Sequence, residues 1–510
     1  MNSSLIRLLA WLSVGSLVAC GGSGDGGGAP ATGDVAVIFT DGPTDQFERI
    51  LVSMTGMTLI GPGGHVDLYD GPEITFDLLE MSEWGDLAFN AKAIAQRYNK
   101  IRIHLSRVEL IDMDTPDGMG NPDTRVMLDA LPAGGMIDLN PRGPFEVSPD
   151  YTTVIKLDMD ANRSFQVVGT GNGGLRLRPI MFVDVYQGAF FLTDRLVRVS
   201  GTVQASSFES ADDADPLDDS FRLCNLEFIS QSNGPSVSDS TDCVRIFTDG
   251  ATGIFDAAGM AFDDTSLATT FPISEGQVLT AIGFALGTDD KDAVLGLDAV
   301  VVELGDRQPY TDGGGWDTVK GLVEMNPIDC APDTPDQCFP FVPKESATTI
   351  TTRMQPTTRV FRADGVELSQ AAVSMGDGAS IDAFRADMTG ELHAALVVLS
   401  ADVSGGFITG TLDLPPASED PPYAVLHVMN DIGGLFDVCV DSETAIVQVL
   451  AHDEVVTLFD ITPFDLIVPG VLETGSIIEA FGDTDSLPPG CDMLADQVII
   501  DQVIIEPPAP

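Results

Sequence analysis

The stretch that decides the fold class is DVAVIFTDGPTDQFERILVSMTGMTLIG, residues 34–61. It holds two apolar runs rich in β-branched and aromatic residues, separated by turn residues at Gly42 and Pro43. The second run alternates through Val52 and Met54 and then changes phase at Gly56. Because a glycine inside a strand pattern is typical of a β-bulge, the stretch predicts two strands, the second of them bulged.

Further short strands follow in the same part of the chain. The runs NKIRIHLSRVELID (99–112), TTVIKLDMD (152–160) and LRLRPIMFVDVY (175–186) predict strands with turn residues between them. One run, DLAFNAKAIAQRY (86–98), has the pattern of a single short helix instead. Many short strands with regular turns predict a β-sandwich over residues 34–187.

These residues resemble a bacterial and archaeal family, domain of unknown function 4382, which is found near the start of many lipoproteins. The similarity lies in VAVIFTDGPTDQFERILVSMTGMTLI (35–60), KIRIHL (100–105) and FQVVGTGNGGLRLRPIMFVDV (165–185). The resemblance implies a transthyretin-like or immunoglobulin-like sandwich, and it implies no activity. One local departure is AIAQRYNK (93–100), which stands where the family has a Gly-Thr-Tyr turn.

The rest of the chain contains a weak internal repeat of three units. Each unit opens with a strand that has a central glycine, namely VRVSGTV from residue 197, DTVKGLV from 317 and GFITGTL from 406. A glycine turn then launches a second strand at Gly276, Gly378 and Gly475, and each unit closes with an apolar strand, namely LGLDAVVVEL, ELHAALVVLS and DMLADQVIID. This pattern is typical of a small five- or six-stranded β-barrel.

The three units resemble the short repeats of a second family, domain of unknown function 5666, which implies an oligonucleotide-binding-type barrel. We therefore expect an all-β protein, in which the sandwich is followed by three barrel-like units at residues 195–306, 316–402 and 404–506. The barrel type does not predict nucleic-acid binding, because basic and exposed aromatic residues of the kind that such binding needs are sparse.

The amino-terminal segment resembles the export signal of a bacterial lipoprotein. Residues 5–18 are mostly apolar but too few to cross a bilayer, which needs about 20 such residues. They lead into Leu17-Val18-Ala19-Cys20, the arrangement of a lipobox, in which the cysteine becomes the lipid-modified first residue. Seven of the thirteen residues 21–33 are glycine, which is typical of a flexible tether. The alternative is an ordinary signal peptide with an incidental cysteine.

We therefore expect a signal peptide at residues 1–19, followed by a lipidated Cys20 and a glycine-rich linker over residues 20–33. In the lipoproteins that this motif resembles, a residue other than aspartate after the cysteine permits export to the outer membrane. Gly21 meets that condition. The expected location is the cell envelope of a double-membraned bacterium, with the lipid in the outer membrane.

The cysteine count fits an exported chain. Seven cysteines minus the lipidated Cys20 leave six, an even number in an oxidising compartment. Six cysteines allow fifteen pairings, but two of them fall in each repeat unit, which favours bridges within units. The predicted bridges are Cys224 with Cys243, Cys330 with Cys338, and Cys439 with Cys491.

The composition is strongly acidic. Aspartate and glutamate number 78 against 25 lysines and arginines, which gives a net charge of -53 and repels nucleic acid and anionic lipid. A cation is the more natural companion of such a chain. The even spread of acidic residues is also typical of solubility in a saline habitat, where salt screens self-repulsion.

One acidic loop is a candidate metal site. It is DMDTPDGMGNPD, residues 112–123, and its carboxylates are those of Asp112, Asp114, Asp117 and Asp123. Closely spaced carboxylates on a turning loop suit calcium, which takes six to eight oxygen ligands. The spacing departs from the helix-loop-helix calcium pattern, and the alternative is a solvated acidic hairpin loop. Two other acidic runs, from Asp212 and from Thr288, predict solvated loops.

No catalytic motif is evident, since the sequence has no G-x-S-x-G elbow and no glycine loop that would bind phosphate. We expect a non-catalytic, lipid-anchored envelope protein that binds or scaffolds an unknown envelope protein or glycan. Its membrane contact is Cys20, calcium is its one candidate cofactor, and nucleic acid is not a partner. The first alternative is a calcium-dependent adhesion or glycan-binding module, although Trp84 and Trp316 are the only tryptophans left after the signal. The second is a hydrolase without a recognisable motif.

Overall fold

A computed structural model describes much of the chain between residues 30 and 501. The described residues are 30–41, 49–112, 123–126, 132–160, 164–166, 176–177, 180–210, 219–233, 243–262, 272–288, 293–305, 307, 315–332, 334–344, 348–385, 390–400, 406–413, 417–418, 424–430, 433–442, 444–452, 455–461, 475–484 and 487–501. Within these residues, no helix is long and apolar enough to span a bilayer. The signal peptide and Cys20 lie outside the described residues.

The amino-terminal domain is a sandwich of two sheets. Its strands are β1 (Thr32–Asp41), β2 (Arg49–Gly61), β3 (Gly64–Asp77), β4 (Gly85–Ile94), β5 (Arg97–Tyr98), β6 (Lys100–Asp112), β7 (Asp123–Val126), β8 (Met136–Asn140), β9 (Phe145–Glu146), β10 (Thr153–Met159), β11 (Phe165–Gln166), β12 (Arg176–Leu177) and β13 (Met181–Gln187), with 3-10 turns at Leu78–Met81 and Pro132–Gly135. One sheet has the order β13-β10-β1-β4 and the other β3-β2-β6-β8. Their facing apolar side chains form one core.

The bulge predicted at Gly56 is confirmed. The register of β2 shifts between Met54 and Gly56 against both of its neighbours, β3 and β6. A glycine fits there because the extra residue bends the strand and increases its twist. The change of phase in the sequence therefore corresponds to a change in the structure. After the bulge, the alternate residues of β2 that face the core are shifted by one position.

Three further domains follow, and we call them barrel 1, barrel 2 and barrel 3. Barrel 1 contains β14 (Val197–Val203), β15 (Glu209–Ser210), β16 (Asp219–Glu227), β17 (Gln231–Asn233), β18 (Cys243–Phe247), β19 (Gly253–Phe255), β20 (Val278–Leu286) and β21 (Leu295–Leu304). Barrel 2 contains β22 (Gly315–Val323), β23 (Ile328–Asp329), β24 (Gln337–Pro343), β25 (Ile350–Arg362), β26 (Glu367–Leu368), a 3-10 turn (Gln370–Ala372), β27 (Gly378–Arg385) and β28 (Leu392–Leu399). Barrel 3 contains β29 (Gly406–Leu412), β30 (Ala417–Ser418), β31 (Ala424–Met429), β32 (Leu435–Val440), β33 (Ala445–His452), β34 (Val455–Ile461), β35 (Ile477–Asp483) and β36 (Met493–Asp501).

Each barrel closes a ring of five strands in the same order. The rings are β14-β16-β18-β21-β20 in barrel 1, β22-β24-β25-β28-β27 in barrel 2 and β29-β31-β32-β36-β35 in barrel 3, each returning to its first strand. When the five strands of each ring are counted in chain order, the third pairs in parallel with the fifth. These pairs are β18 with β21, β25 with β28, and β32 with β36. The prediction of an all-β protein with three barrel-like units after a sandwich is confirmed.

The glycines of the repeat have a structural cause. A Cβ at Gly201, Gly321 or Gly410 would overlap a carbonyl oxygen of the neighbouring strand, so each glycine lets the first and second ring strands approach closely. A second glycine in each barrel lies in the turn before the fourth strand of the ring in chain order. It has a positive φ, and its backbone N–H donates to the carbonyl oxygen of the last residue of the first ring strand. The three glycines are Gly276 (φ +77°), Gly376 (φ +97°) and Gly475 (φ +93°). The prediction that Gly378 is the turn glycine of barrel 2 is wrong by two residues. The residue with the left-handed backbone is Gly376, and Gly378 is the first residue of the strand that follows.

The helix predicted at residues 86–98 is also wrong. These residues form β4 and β5, and β4 lies in the middle of a sheet between β1 and β14. Phe89 packs in the core of the sandwich while Leu87 packs in the core of barrel 1. Because both faces are buried, the segment lacks the polar alternation of a half-exposed strand, and its alanines suggested a helix.

The sheets of the sandwich continue into two of the barrels. The parallel pairing of β4 with β14 joins the first sheet to barrel 1. The parallel pairing of β8 with β34 joins the second sheet to barrel 3, whose Val447, Val449 and Ile499 enter the sandwich core. Barrel 2 instead meets its neighbours through side chains, including the buried rings of Trp84 and Trp316.

Candidate functional site

Arg198 lies at the point where the sandwich, barrel 1 and barrel 2 meet. Its side chain is 1% exposed, and its Nε and Nη2 donate to the two carboxylate oxygens of Asp86 at 2.6 and 2.8 Å. Its Nη1 donates to Oγ1 of Thr318 in barrel 2 at 2.8 Å. The guanidinium carbon also lies 4.7 Å from the ring centre of Trp84. One buried cation therefore contacts all three domains.

The strand register explains why Arg198 and Asp86 meet. They are direct partners in the parallel pairing of β14 with β4, so their side chains leave the sheet on the same face. Ser230 completes the shell of Asp86, because its backbone N–H donates to Oδ2 at 3.1 Å and its hydroxyl donates to the same oxygen. Asp86 of the sandwich thus accepts hydrogen bonds from two separate segments of barrel 1.

Arg307 forms a second charged centre between barrel 1 and barrel 2. Its Nη1 lies 2.8 Å from Oε2 of Glu303, and its Nη2 lies 2.6 Å from Oδ1 of Asp382. Both carboxylate side chains are 0% exposed. Nη2 also donates to Oγ1 of Thr318 at 2.6 Å, so this one hydroxyl joins the guanidinium of Arg307 to that of Arg198.

Lys320 is the third link of the junction. Its Nζ lies 2.5 Å from Oε2 of Glu83 in the sandwich, and it also donates to the carbonyl oxygen of Leu79 and the hydroxyl of Ser82. The hydroxyl of Ser400, which follows β28, donates to the other oxygen of Glu83 at 3.3 Å. Barrel 2 is thereby tied to the 3-10 turn of the sandwich and to the two residues, Ser82 and Glu83, that follow it.

The electrostatics of the three centres differ. Burial raises the pKa of Glu303 well above its ordinary value, and the charge of Asp382 raises it further, while Arg307 opposes both. Two buried carboxylates beside one arginine favour a state in which one of them holds a proton. Burial, together with the charge of Asp77, raises the pKa of Glu80 to about 7. Burial also raises the pKa of Glu83, but the charge of Lys320 and hydrogen bonds bring it below the ordinary value.

The junction is suited to fixing domains in one arrangement. Each of the three cations has a carboxylate partner, in Asp86, Asp382 or Glu83. Buried ion pairs add little net stability compared with apolar packing, yet losing one partner costs about 3–5 kcal/mol because the other charge stays buried. We infer that these charges select one domain arrangement over others.

The calcium candidate falls at the edge of the described residues. Asp112 and Asp123 are direct backbone partners in the pairing of β6 with β7, while Asp114 and Asp117 lie outside the described residues. Residues 212–218 of the run from Asp212 also lie outside them, and its last residue, Asp219, begins β16. Among the side chains that the structure describes, no group of three or more His, Cys, Asp or Glu lies close enough to hold a metal ion.

The three predicted cysteine pairs lie at disulfide distance. The Cα atoms are 4.2 Å apart for Cys224 and Cys243, 4.9 Å for Cys330 and Cys338, and 5.7 Å for Cys439 and Cys491. Each pair falls in a different part of its barrel. The first joins two neighbouring ring strands, the second closes the connection between the first two ring strands of barrel 2, and the third joins β32 to the residues before β36.

The two tryptophans are not exposed to a ligand. Trp84 and Trp316 are 0% and 1% exposed, and their indole N–H groups donate to the carbonyl oxygens of Glu80 and Leu304. They pack in the core between the sandwich and the first two barrels. They therefore serve domain packing and do not offer a flat surface for a sugar ring.

Barrel 2 carries a group of exposed apolar side chains. Leu322, Met325, Ile328 and Met375 are between 49% and 66% exposed, and we call them the barrel 2 apolar surface. The segments that carry them adjoin, since the N–H of Met375 donates to Oδ1 of Asn326 at 2.7 Å. A cavity of about 340 Å³ beside them is lined by Asn326, Pro327, Gln337, Gln370, Ala371, Val373 and Ser374. Exposed apolar groups of this kind mark contact surfaces more often than single exposed residues do.

Sequence reasoning missed a threonine that recurs in the barrels. Thr252, Thr358 and Thr444 are buried, and each hydroxyl accepts from the backbone N–H three residues earlier. Each also donates to an alanine carbonyl oxygen of the last ring strand, at 2.9, 2.5 and 2.7 Å. The tetrapeptides DGAT, QPTT and DSET end at these threonines, so a D-x-x-T search would have found two of the three.

Comparison with known proteins finds similarity for the sandwich. Residues 32–179 match the model of the family described as domain of unknown function (DUF4382). The match covers the sandwich strands from β1 to β12, in agreement with the predicted resemblance. A search of curated proteins found no match.

Proposed function

We propose that this protein is a lipid-anchored, non-catalytic scaffold or binding protein of the bacterial envelope. The observation that carries the proposal is the Arg198 centre, in which one buried guanidinium contacts Asp86 of the sandwich and Thr318 of barrel 2. A body whose domains are joined by buried charges and shared sheets holds its surfaces at fixed distances from one another. Such rigidity suits a protein that positions a partner.

The anchor in this proposal is Cys20. A signal peptide at residues 1–19 would be removed, and a glycine-rich linker over residues 20–33 would join the lipid to the sandwich. The outer membrane of a double-membraned bacterium is the proposed location, because Gly21 follows the cysteine. The three disulfide pairs support export to an oxidising compartment.

The proposal includes the domain limits and the second resemblance. The sandwich would occupy residues 34–187 and the barrels residues 195–306, 316–402 and 404–506. The shared ring order of the barrels supports their similarity to the repeats of domain of unknown function 5666. The partner in this proposal is an envelope protein or glycan, with no role for nucleic acid.

Calcium-dependent adhesion is the second candidate function. The observation in its favour is the direct backbone pairing of Asp112 with Asp123. This pairing brings the two ends of the loop that carries Asp114 and Asp117 to one place. If calcium binds there, the melting temperature rises with millimolar calcium in the wild type and not in the Asp114→Asn, Asp117→Asn double variant. The hydrolase alternative gains nothing from Glu303 and Asp382, which are fully buried.

The anchor and the rigid body are tested separately. Mass spectrometry of the native amino-terminal peptide should find an acylated Cys20, and the Cys20→Ser variant should be released from membranes by washing. An unacylated amino terminus contradicts the anchor. Distances between spin labels in the sandwich and barrel 2 should be narrowly distributed in the wild type and broad in Arg198→Met. Broad wild-type distances contradict the rigid scaffold.

A further inference from the structure

We propose that the end of the sandwich at which β1 begins faces the lipid surface, and that barrel 2 is held away from it. This inference rests on the proposed lipidation of Cys20. We call this end the tip, and define it as residues 31–34, 60–65, 94–99 and 141–148. Three observations carry the proposal, namely the reach of the linker, the direction of the strands, and the surface of the tip itself.

The linker between the lipid and the sandwich is short. Eleven residues, and so twelve residue steps, separate Cys20 from Thr32, the first residue of β1. A glycine-rich segment of this length has a root-mean-square span of about 19 Å, and it reaches about 40 Å only when fully extended. The start of β1 is therefore held near the membrane surface.

The described segments of the tip are joined to one another. The N–H of Ala95 donates to the carbonyl oxygen of Ala31 at 2.8 Å, which ties the start of β1 to the end of β4. The N–H of Val147 donates to the backbone carbonyl oxygen of Gln96, and the N–H of Asn99 donates to that of Ile60. Because backbone hydrogen bonds connect these four segments, they present one surface.

The strands carry barrels 1 and 2 away from the tip. β4 starts at Gly85, which pairs with Val197 of barrel 1, and ends at Ile94 in the tip. Nine residue steps at about 3.3 Å place these ends about 30 Å apart. Barrel 2 contacts the sandwich at the Gly85 end, through Glu83 and Trp84. For the Gly85 end to lie at the same membrane, the linker would have to span about 30 Å, well beyond its root-mean-square span.

The surface of the tip suits a lipid headgroup layer better than the rest of this acidic chain. Its own charged residues are Asp34 and Glu146 against Arg97 and Arg142; with Asp460 of barrel 3, which pairs with Arg142, the local net charge is -1 in a chain of net charge -53. Ile94, 37% exposed, is the one large exposed apolar side chain among the described residues of the sandwich. An end so close to neutral avoids most of the repulsion that the acidic surface elsewhere would meet at anionic lipid.

Fluorescent labels on the full-length acylated protein test this orientation. A cysteine is introduced at the tip, by His65→Cys or Pro144→Cys, or on barrel 2, by Met375→Cys or Met325→Cys. All four positions are exposed. Each labelled protein is bound to vesicles of phosphatidylethanolamine and phosphatidylglycerol whose headgroups carry an energy-transfer acceptor. Thermal melts confirm that each variant is folded, and the second position at each end replaces any variant that is not.

We expect a large loss of donor fluorescence from the tip labels and a much smaller loss from the barrel 2 labels. The same variants carrying Cys20→Ser should show no loss, because they do not bind the vesicles. An acylated, vesicle-bound protein with equal loss at both ends, or with the larger loss at Met375, overturns the orientation while leaving the anchor intact. A protein that carries no acyl group overturns both the orientation and the proposed function.

Discussion

The two junctions between the sandwich and its neighbours differ in how much they depend on buried charges. At the first junction, the pairing of β4 with β14 and apolar side chains such as Leu87 join the sandwich to barrel 1. The buried charges of Arg198 and Lys320 also contact the sandwich there, and Arg307 links barrel 1 to barrel 2. At the second junction, with barrel 3, the backbone of β34 pairs with β8, and Val447 and Val449 enter the sandwich core. The one ion pair described between these two domains, Arg142 with Asp460, has an arginine that is 39% exposed.

This difference determines which junction a single substitution can weaken. Backbone pairing and apolar burial depend on many atoms, so no single side chain decides the second junction. A buried ion pair depends on both partners, and the loss of either leaves a charge without water or counterion. We therefore expect single substitutions to separate the two junctions, and the following predictions are ordered by the size of the expected effect.

The largest effect is expected from Arg198→Met. The substitution keeps an apolar stem of similar length but leaves the fully buried carboxylate of Asp86 without its ion-pair partner. The free energy of unfolding should fall by about 3–5 kcal/mol. The measurement is denaturant unfolding followed by tryptophan fluorescence, which reports on this junction because Trp84 lies beside Arg198.

Arg142→Met is the matched substitution at the second junction. Arg142 is 39% exposed, but Asp460 is only 6% exposed and can take up a proton when its partner is lost, so the loss of Arg142 should cost about 1–2 kcal/mol, less than the loss of Arg198. Arg362→Met is a surface control, since the Arg362–Asp364 pair is about half exposed on both sides. Equal losses from Arg198→Met and Arg142→Met would remove the distinction between the junctions.

The sequence predicted the backbone of this protein better than its junctions. Alternation and turn glycines such as Gly56 are local signals, so the sandwich, the barrels and the cysteine pairs could be predicted. Arg198 carries a signal in retrospect, because it stands between two core valines in a chain with 25 basic residues. Its partners could not be predicted, since Asp86 and Thr318 lie more than a hundred residues away on either side. The helix prediction at 86–98 failed for the same reason, because β4 is buried by a domain that follows it in sequence.

The disulfides offer the second test, and barrel 3 should depend on its bridge more than barrel 2. Cys439 and Cys491 are 52 residues apart, whereas Cys330 and Cys338 are 8 apart. In the chain-entropy model the longer loop is worth about 4 kcal/mol and the shorter about 2.5 kcal/mol. Replacing each pair with alanines and measuring the free energy of unfolding by denaturant checks the difference. A larger loss from the barrel 2 pair would show that local strain or packing outweighs loop length.

The ring glycines give the third test. A Cβ at Gly321 of β22 would overlap the carbonyl oxygen of Val342, so Gly321→Ala should push the first two ring strands of barrel 2 apart. We expect a loss of about 1–3 kcal/mol, as for other overpacked sites. Gly250→Ala is the control, because its Cβ would meet nothing within 4 Å. Since β22 also carries Thr318 and Lys320, Gly321→Ala should loosen the first junction, whereas the equivalent Gly410→Ala should not. Equal spin-label distances in all three variants would contradict this.

The smallest effect is a difference in pH dependence between the junctions. Burial raises the pKa of Glu80 at the first junction to about 7 and that of Asp460 at the second to about 6. In each case the unfolded chain releases its proton at lower pH than the folded protein, so the stabilisation is full below the unfolded pKa and is lost as the pH rises through the folded pKa. The loss should extend to about pH 7 for Glu80 but only to about pH 6 for Asp460, with a slope below about 1.4 kcal/mol per pH unit. Glu80→Gln should therefore flatten the stability curve between pH 6 and pH 7, where Asp460→Asn should leave it nearly unchanged. If both variants flatten the same range, proton binding does not distinguish the two junctions.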